Sequence, residues 1–241
     1  IVATKFASSV NSGTSALHLS LLAAGVKKND LVIVPSYTFA ATINAILYSG
    51  AKPWFFDISE DDFVINLDQV ENALDKNVIF KNKKIIHKKT KQTVSAIIPV
   101  FTYGLSPDLK KLNKIKNKFN LKVILDAASG HGSTFNNQLI SKKNFLTCYS
   151  FNGNKSFTSG GGGMIVTSDK KIYKEVNILK NVGKSSNKYL YERVGFNYKI
   201  NNIQAAVGVG QIENYKKILS NKIKIFKIYE KEIPKKFKKF L

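Results

Sequence analysis

Cysteine is nearly absent from this 241-residue chain. Cys148 stands alone, so no internal disulfide can form and a small scaffold stapled by several bridges is excluded. Long apolar runs are missing as well. No stretch reaches the roughly 18 uninterrupted apolar residues of a membrane helix, and Ile1-Val2-Ala3-Thr4-Lys5 lacks the layout of a secretory leader. Acids are scarce, 16 against 38 basic residues, giving a formal charge of +22, yet Arg193 is the only arginine. Arginine is the residue preferred for bidentate contacts to bases and phosphates. Without it, and without a helix-turn-helix, zinc-finger or RNP-like pattern, the lysines spread over 81–91, 110–122 and 216–239 read as solvated faces. A non-catalytic basic nucleic-acid-binding protein is the alternative from another class. The expectation is a cytoplasmic protein with no membrane insertion. Its 44% hydrophobic content suffices for a real core in one large domain, or one domain plus part of another.

Helical and extended patterns alternate along the chain. Residues 15–25 read as a helix with Leu17, Leu21 and Leu22 on one face and Gly25 as its stop. Leu31 to Pro35 reads as a buried strand, Phe39 to Tyr48 as a helix, Pro53 to Ile58 as a strand and Leu67 to Leu74 as a helix. Then come a strand over Ser95 to Val100, a lysine-decorated helix over 108–119 and a strand over Leu121 to Leu125. Two more strands are expected at 145–151 and 163–167. The pattern implies an α/β fold, mainly a parallel sheet sandwiched by helices. Ligands in such sheets gather at the carboxyl ends of strands.

Two residues at such ends carry chemistry. Asp126 closes the run Val123-Ile124-Leu125, and Lys155 lies 29 residues later in Ser150-Phe151-Asn152-Gly153-Asn154-Lys155, shortly before four glycines, Gly160 to Gly163. A carboxylate to keep a pyridine nitrogen protonated and an amine to form a Schiff base are what pyridoxal phosphate requires. Taken alone, Asp126 also suits a strand-end turn or cap, and Lys155 is one lysine among many. Asn11-Ser12-Gly13-Thr14-Ser15, at the start of a helix, offers hydroxyls and free N–H groups as a phosphate cradle, although the same residues serve as an ordinary N-cap. Ser150 adds a hydroxyl. His18 and His131 read as structural and satisfied locally, and His87 as solvated.

The ordered motifs Asn11 to Leu17, Pro35-Ser36-Tyr37-Thr38-Phe39, Asp126-Ala127-Ala128, Ser150 to Lys155 with the glycines, and Gly195-Phe196-Asn197-Tyr198 with Gln204-Ala205-Ala206 resemble the DegT/DnrJ/EryC1/StrS aminotransferases. The resemblance spans about residues 5–220. It implies the large domain of a fold-type I pyridoxal-phosphate-dependent transferase over 1–211, with its N-terminal segment missing, and the start of a truncated small domain over 212–241. A chain without those parts can bind cofactor poorly or lack activity.

It also implies roles. Lys155 would be the Schiff-base lysine and proton shuttle, Asp126 the partner of the ring nitrogen, and Phe39 a platform for the ring. Gly13, Thr14 and Ser150 would hold the phosphate, Ser129 would lie beside the 3′ oxygen where relatives often carry a glutamine or glutamate, and Asn197 would reach the phosphate from the partner subunit of a homodimer. Lys199 replaces a frequent arginine and so lacks its planar fork. No metal is expected. The phrase Asn152-Gly153-Asn154-Lys155 is similar to members that aminate C4 of a 4-keto-6-deoxy sugar nucleotide. The basic stretch 76–94 reads as a hairpin, similar to an insertion in enzymes acting on UDP-linked N-acetylhexosamines. The resemblance thus implies transfer of an amino group from glutamate to C4 of a UDP-4-keto-6-deoxy-N-acetylhexosamine for a surface glycan, with a GDP-perosamine type reaction as the alternative.

Overall fold

The computed structural model describes residues 4–82, 84–140, 145–185 and 189–234. In chain order its elements are β1 (Phe6–Val10), α1 (Gly13–Ala23), β2 (Leu31–Pro35), α2 (Ala40–Tyr48), β3 (Lys52–Phe56), α3 (Leu67–Asn77), β4 (Val78–Lys81), β5 (Lys84–His87) and β6 (Thr93–Ile97). They continue with α4 (Leu109–Phe119), β7 (Lys122–Asp126), the short hairpin β8 (Thr134–Phe135) and β9 (Gln138–Leu139), β10 (Leu146–Ser150), β11 (Gly163–Thr167), α5 (Lys170–Leu179), α6 (Asn202–Glu213) and α7 (Tyr215–Glu232).

The main sheet runs β1-β11-β10-β7-β6-β2-β3. From β10 to β3 every pairing is parallel, and β11 runs antiparallel to both its neighbours. Because a parallel sheet is covered on both faces, its strands carry apolar residues on both. Strand β2 is buried at all five positions: Val32 and Val34 face a core shared with Leu17, Leu21, Ile46 and Val176 of α1, α2 and α5, whereas Ile33 faces Val70, Leu74, Leu112 and Ile115 of α3 and α4. The result is the expected α/β/α sandwich.

Local chemistry sets the helix ends. Asn66 accepts the Asp68 and Gln69 amides at 3.1 Å to start α3, and Asp108 does the same for α4. Asn120, in the left-handed region with φ 52°, ends α4. Helix α4 buries Leu109, Leu112, Ile115 and Phe119 along one face. Two of its lysines meet acids of α3: Lys118 reaches Glu71 and Asp75 at 3.2 and 2.8 Å, and Lys111 pairs with Asp68. Part of the 110–122 charge is therefore an interhelical fringe, of the exposed kind that contributes little stability.

The stretch 76–94 does form a hairpin, β4 against β5, with β5 joined antiparallel to Thr93 and Val94 of β6; Lys83 lies outside the described residues. This attachment is at the start of β6. Strand β1 and helices α5 and α6 are not among the elements named from the sequence, although α5 has an Asp169 cap and buries Val176 and Leu179 on one face. Phe6–Val10 is short and half serine and alanine, and it becomes a strand only by pairing with β11. Gln211 lies within α6, and Asn214 separates α6 from the largely exposed α7. Residues 235–241, the tail of the expected small-domain start, lie outside the described residues.

The glycine run is a device for close approach. A Cβ on Gly163 would sit 2.7 Å from the carbonyl oxygens of both Ser12 and Tyr149, backbone atoms that cannot turn aside. Gly153, in the lysine loop, has nothing within 4 Å of its virtual Cβ. Gly163→Ala should therefore cost roughly 1–3 kcal/mol in a denaturation experiment, while Gly153→Ala should be close to neutral. Equal costs would mean that the strand crowding is not what requires Gly163.

Candidate active site

Strands β2, β6, β7 and β10 end at one edge of the sheet, and the loops leaving them enclose a cavity of about 560 Å³, a size that suits a cofactor or substrate. Gly13, Thr14, Phe39, Asp126, Ser129, Ser150 and Lys155 all line it. The expected residues, scattered over more than 140 positions of sequence, thus converge, with one exception. Asn197 is outside the lining and exposed, its carbonyl accepting the Asn11 side-chain amide at 3.3 Å.

Asp126 is the last residue of β7 and is 5% exposed. Burial pushes its carboxyl above the usual range. A hydroxyl hydrogen bond from Thr42, the Ala128 N–H and the charge of Lys155 pull the other way. Thr42 donates to Oδ2 at 2.7 Å and Ala128 N–H to Oδ1 at 3.2 Å. Among the described residues no cation makes an ion pair with it. A buried acid in this condition fits a protonated ring nitrogen, the one group of pyridoxal phosphate that would return the missing positive charge.

Lys155 projects from the loop between β10 and β11, in a turn closed by its N–H on the Asn152 carbonyl at 3.0 Å. Its ammonium donates to Ser129 Oγ at 3.3 Å. Ser129 follows β7, so one contact ties the acid-bearing loop to the amine-bearing loop.

Opposite them, α1 begins at Gly13. Ser12 caps it, accepting the Ser15 amide at 3.0 Å, and its first turn holds no acid. The positive end of the helix dipole and its free amides are thereby left to an anion. Gly13 leaves room for that approach: a Cβ there would lie 2.8 Å from Ser150 Cβ. These features fit the phosphate end of the same cofactor. Phe39, 80% exposed at the N-cap of α2, presents an apolar face at the cavity wall.

Of the lining residues that carried no role in the sequence reading, three stand out. Thr42 reads as one more position in an apolar helix. Tyr37 and Tyr103 join hydroxyls at 2.7 Å at the cavity rim, Tyr103 in the left-handed region at φ 53°. Nothing in a linear pattern announces a pair 66 residues apart.

The histidines depart from expectation. His131 is buried against the rings of Tyr149, Phe151 and Phe157, and neither ring nitrogen has a hydrogen-bond partner among the described residues. The rings offer it no acceptor, and the Ser150 backbone beside it only partly offsets its burial. Nε2 of His18 is likewise unpartnered, with Tyr198 Oη 3.4 Å from its Nδ1. His87 is half-buried, edge-on to Trp54 at 4.9 Å and accepting the Thr90 amide at 3.2 Å.

Burial, helped by the positive charge of Lys155, brings His131 from 6.5 down to about 4. An unfolded histidine takes up its proton near 6.5, so neutral His131 contributes fully above that pH, and the contribution is lost as pH falls from 6.5 toward 4. Urea titrations of wild type and His131→Phe should differ accordingly. Wild type loses roughly 3 kcal/mol more than the variant across that window, and parallel pH profiles would contradict the burial argument.

Residues 1–238 match the model of the DegT/DnrJ/EryC1/StrS aminotransferase family. GDP-perosamine synthase of Escherichia coli O157:H7 is 36% identical over 230 residues, covering 95% of this chain and 59% of that protein. UDP-4-amino-4,6-dideoxy-N-acetyl-beta-L-altrosamine transaminase of Campylobacter jejuni is 30% identical over 235 residues, 96% of this chain and 58% of that one. A sugar-aminotransferase-like structure from Streptococcus pneumoniae, solved in its PLP form, superposes with a TM-score of 0.80 at 26% identity, covering 95% of this chain and 60% of the other. The chain spans less than three-fifths of the length of these curated relatives. Matched to that family model over residues 1–238, the chain belongs to the DegT/DnrJ/EryC1/StrS aminotransferase family, whose members bind pyridoxal phosphate.

Proposed function

We propose that this chain is the cofactor-binding part of an aminotransferase that moves an amino group from glutamate to C4 of a nucleotide-linked 4-keto-6-deoxy sugar, for a surface glycan. The observation that carries this reading is the meeting of Lys155, Asp126 and the N-terminus of α1 in one cavity. Bound there, pyridoxal phosphate supplies an electron-withdrawing ring that stabilises negative charge at the carbon losing a proton.

The chain's own residues do the rest. Asp126 holds the charge of the ring nitrogen, and its burial excludes the water that would screen that attraction. Gly13, Thr14 and Ser150 take the phosphate, and Phe39 supports the ring. Lys155 Nζ anchors the cofactor and then takes and returns the proton at the reacting carbon, with Ser129 Oγ orienting it between those tasks. Asn197, exposed on this chain, reaches the phosphate of a second copy, which makes the working unit a homodimer.

The nucleotide has two readings. The likeness of 76–94 to an insertion in UDP-sugar enzymes favours UDP-4-keto-6-deoxy-N-acetylhexosamine, but the hairpin pairs with Thr93 and Val94 of β6, and none of its described lysines lines the cavity. The 36% identity to a GDP-perosamine synthase, against 30% to the UDP-sugar transaminase, favours the GDP-linked sugar as a second reading.

The test uses the full-length protein. Pyridoxal phosphate should give a visible absorbance band that Lys155→Ala abolishes. Glutamate plus the correct keto sugar should release 2-oxoglutarate at a rate that falls about a thousandfold or more in that variant. Absence of the band in wild type would overturn the cofactor assignment, and release with neither UDP nor GDP sugars would overturn the substrate class.

A further inference from the structure

Asp126 owes its setting to a hydroxyl chain. Thr42, in the first turn of α2, is completely buried and donates to Asp126 Oδ2 at 2.7 Å. Its Oγ1 also lies 2.8 Å from Oγ1 of Thr38. A threonine has one hydroxyl hydrogen, and Thr42 gives its own to the carboxylate, so Thr38 must be the donor in the second contact. The chain therefore runs in one direction, from Thr38 in the loop after β2, through Thr42, to the end of β7. Each bond in such a series polarises the next.

The carboxylate has few other supports. Ala128 N–H serves Oδ1 at 3.2 Å, a longer contact. The titratable groups facing Asp126 are Lys155 from the loop after β10 and Cys148, its register partner on β10. Burial keeps the Cys148 thiol protonated, so it brings no charge. Among the described residues, Thr42 thus supplies the only side-chain hydrogen bond to this buried acid. A valine would fill almost the same space and leave Oδ2 without a donor.

We infer that Thr42, aligned by Thr38, is the positioning residue that holds the Asp126 carboxylate charged and oriented toward the cofactor's ring nitrogen. This rests on the proposed cofactor reading. The hydroxyl acts through Asp126 and touches neither amine nor substrate. Its loss weakens cofactor binding without altering the phosphate cradle or Lys155.

Two measurements on the full-length protein test it. In cofactor-free protein carrying ¹³C-labelled aspartate, the Asp126 carboxyl is followed against pH. Thr42→Val should raise its midpoint by about one unit, Thr42→Ser should restore it, and Thr38→Val should shift it the same way by less. The dissociation constant for pyridoxal phosphate, read by absorbance, should rise about tenfold in Thr42→Val, with the serine variant within about twofold of wild type. Wild-type titration in Thr42→Val, or a serine variant as impaired as the valine one, would overturn the inference in favour of simple packing by the γ-methyl. Should Thr42→Val fail to fold, Thr42→Ser against Thr38→Val still decides, because only a hydroxyl chain makes the second worse than the first. If wild type takes up no pyridoxal phosphate, the cofactor reading fails, while the titration still shows whether Thr42 controls Asp126.

Discussion

A carboxylate at the end of a central parallel strand, removed from water and paired with no cation among the described residues, is the constraint around which the site is organised. Taking an ionised acid out of water is costly unless hydrogen bonds or an opposite charge offset it. Asp126 receives partial compensation from Thr42, Ala128 and the more distant charge of Lys155. With no ligand bound, the remainder shows as a carboxyl that takes up a proton more readily than an exposed one. An acid left in this state is a stability liability for the free protein and a source of affinity for a group that arrives protonated.

The sheet makes that arrangement possible. Parallel strands bring their carboxyl ends to one edge, so the loops after β2, β7 and β10 contribute Thr38, Ser129 and Lys155 to a common space without any of them being close in sequence. Helix α1 joins them because β1 pairs with β11 beside β10. Gly13 and Gly163 are the positions where backbones pass too closely for a side chain. The free amides at the start of α1 and the amine-bearing loop are thus held by rigid elements, as pre-organised sites require.

The charge of the chain has a different standing. Lysines of α4 meet acids of α3, and the basic hairpin pairs with Thr93 and Val94 of β6. The cavity at the carboxyl ends of the strands draws on Lys155 alone among the described lysines. Net charge governs solubility and long-range attraction, whereas the chemistry follows from one amine in one place.

Amphipathic and uniformly apolar segments, together with their caps, were legible in the sequence. Leu31 to Pro35 and Leu109 to Phe119 declare themselves because side-chain period and burial follow from local pattern. So did the residue types at the site, since an acid and a lysine past strand ends, with a Gly-Thr helix start, leave few chemistries open. What the linear pattern does not contain is proximity. Phe6 to Val10 is a strand only by pairing with β11, the Tyr37 and Tyr103 hydroxyls meet across 66 residues, and the Thr42 hydroxyl acquires meaning only when packing of α2 on the sheet aims it at Asp126. The sequence alone determined which groups are available and which segments are helical or extended, because those depend on local periodicity and covalent chemistry. The tertiary structure decided which of these groups share a dry cavity and which hydroxyl donates to the acid, because directed bonds depend on distances that only the folded chain sets.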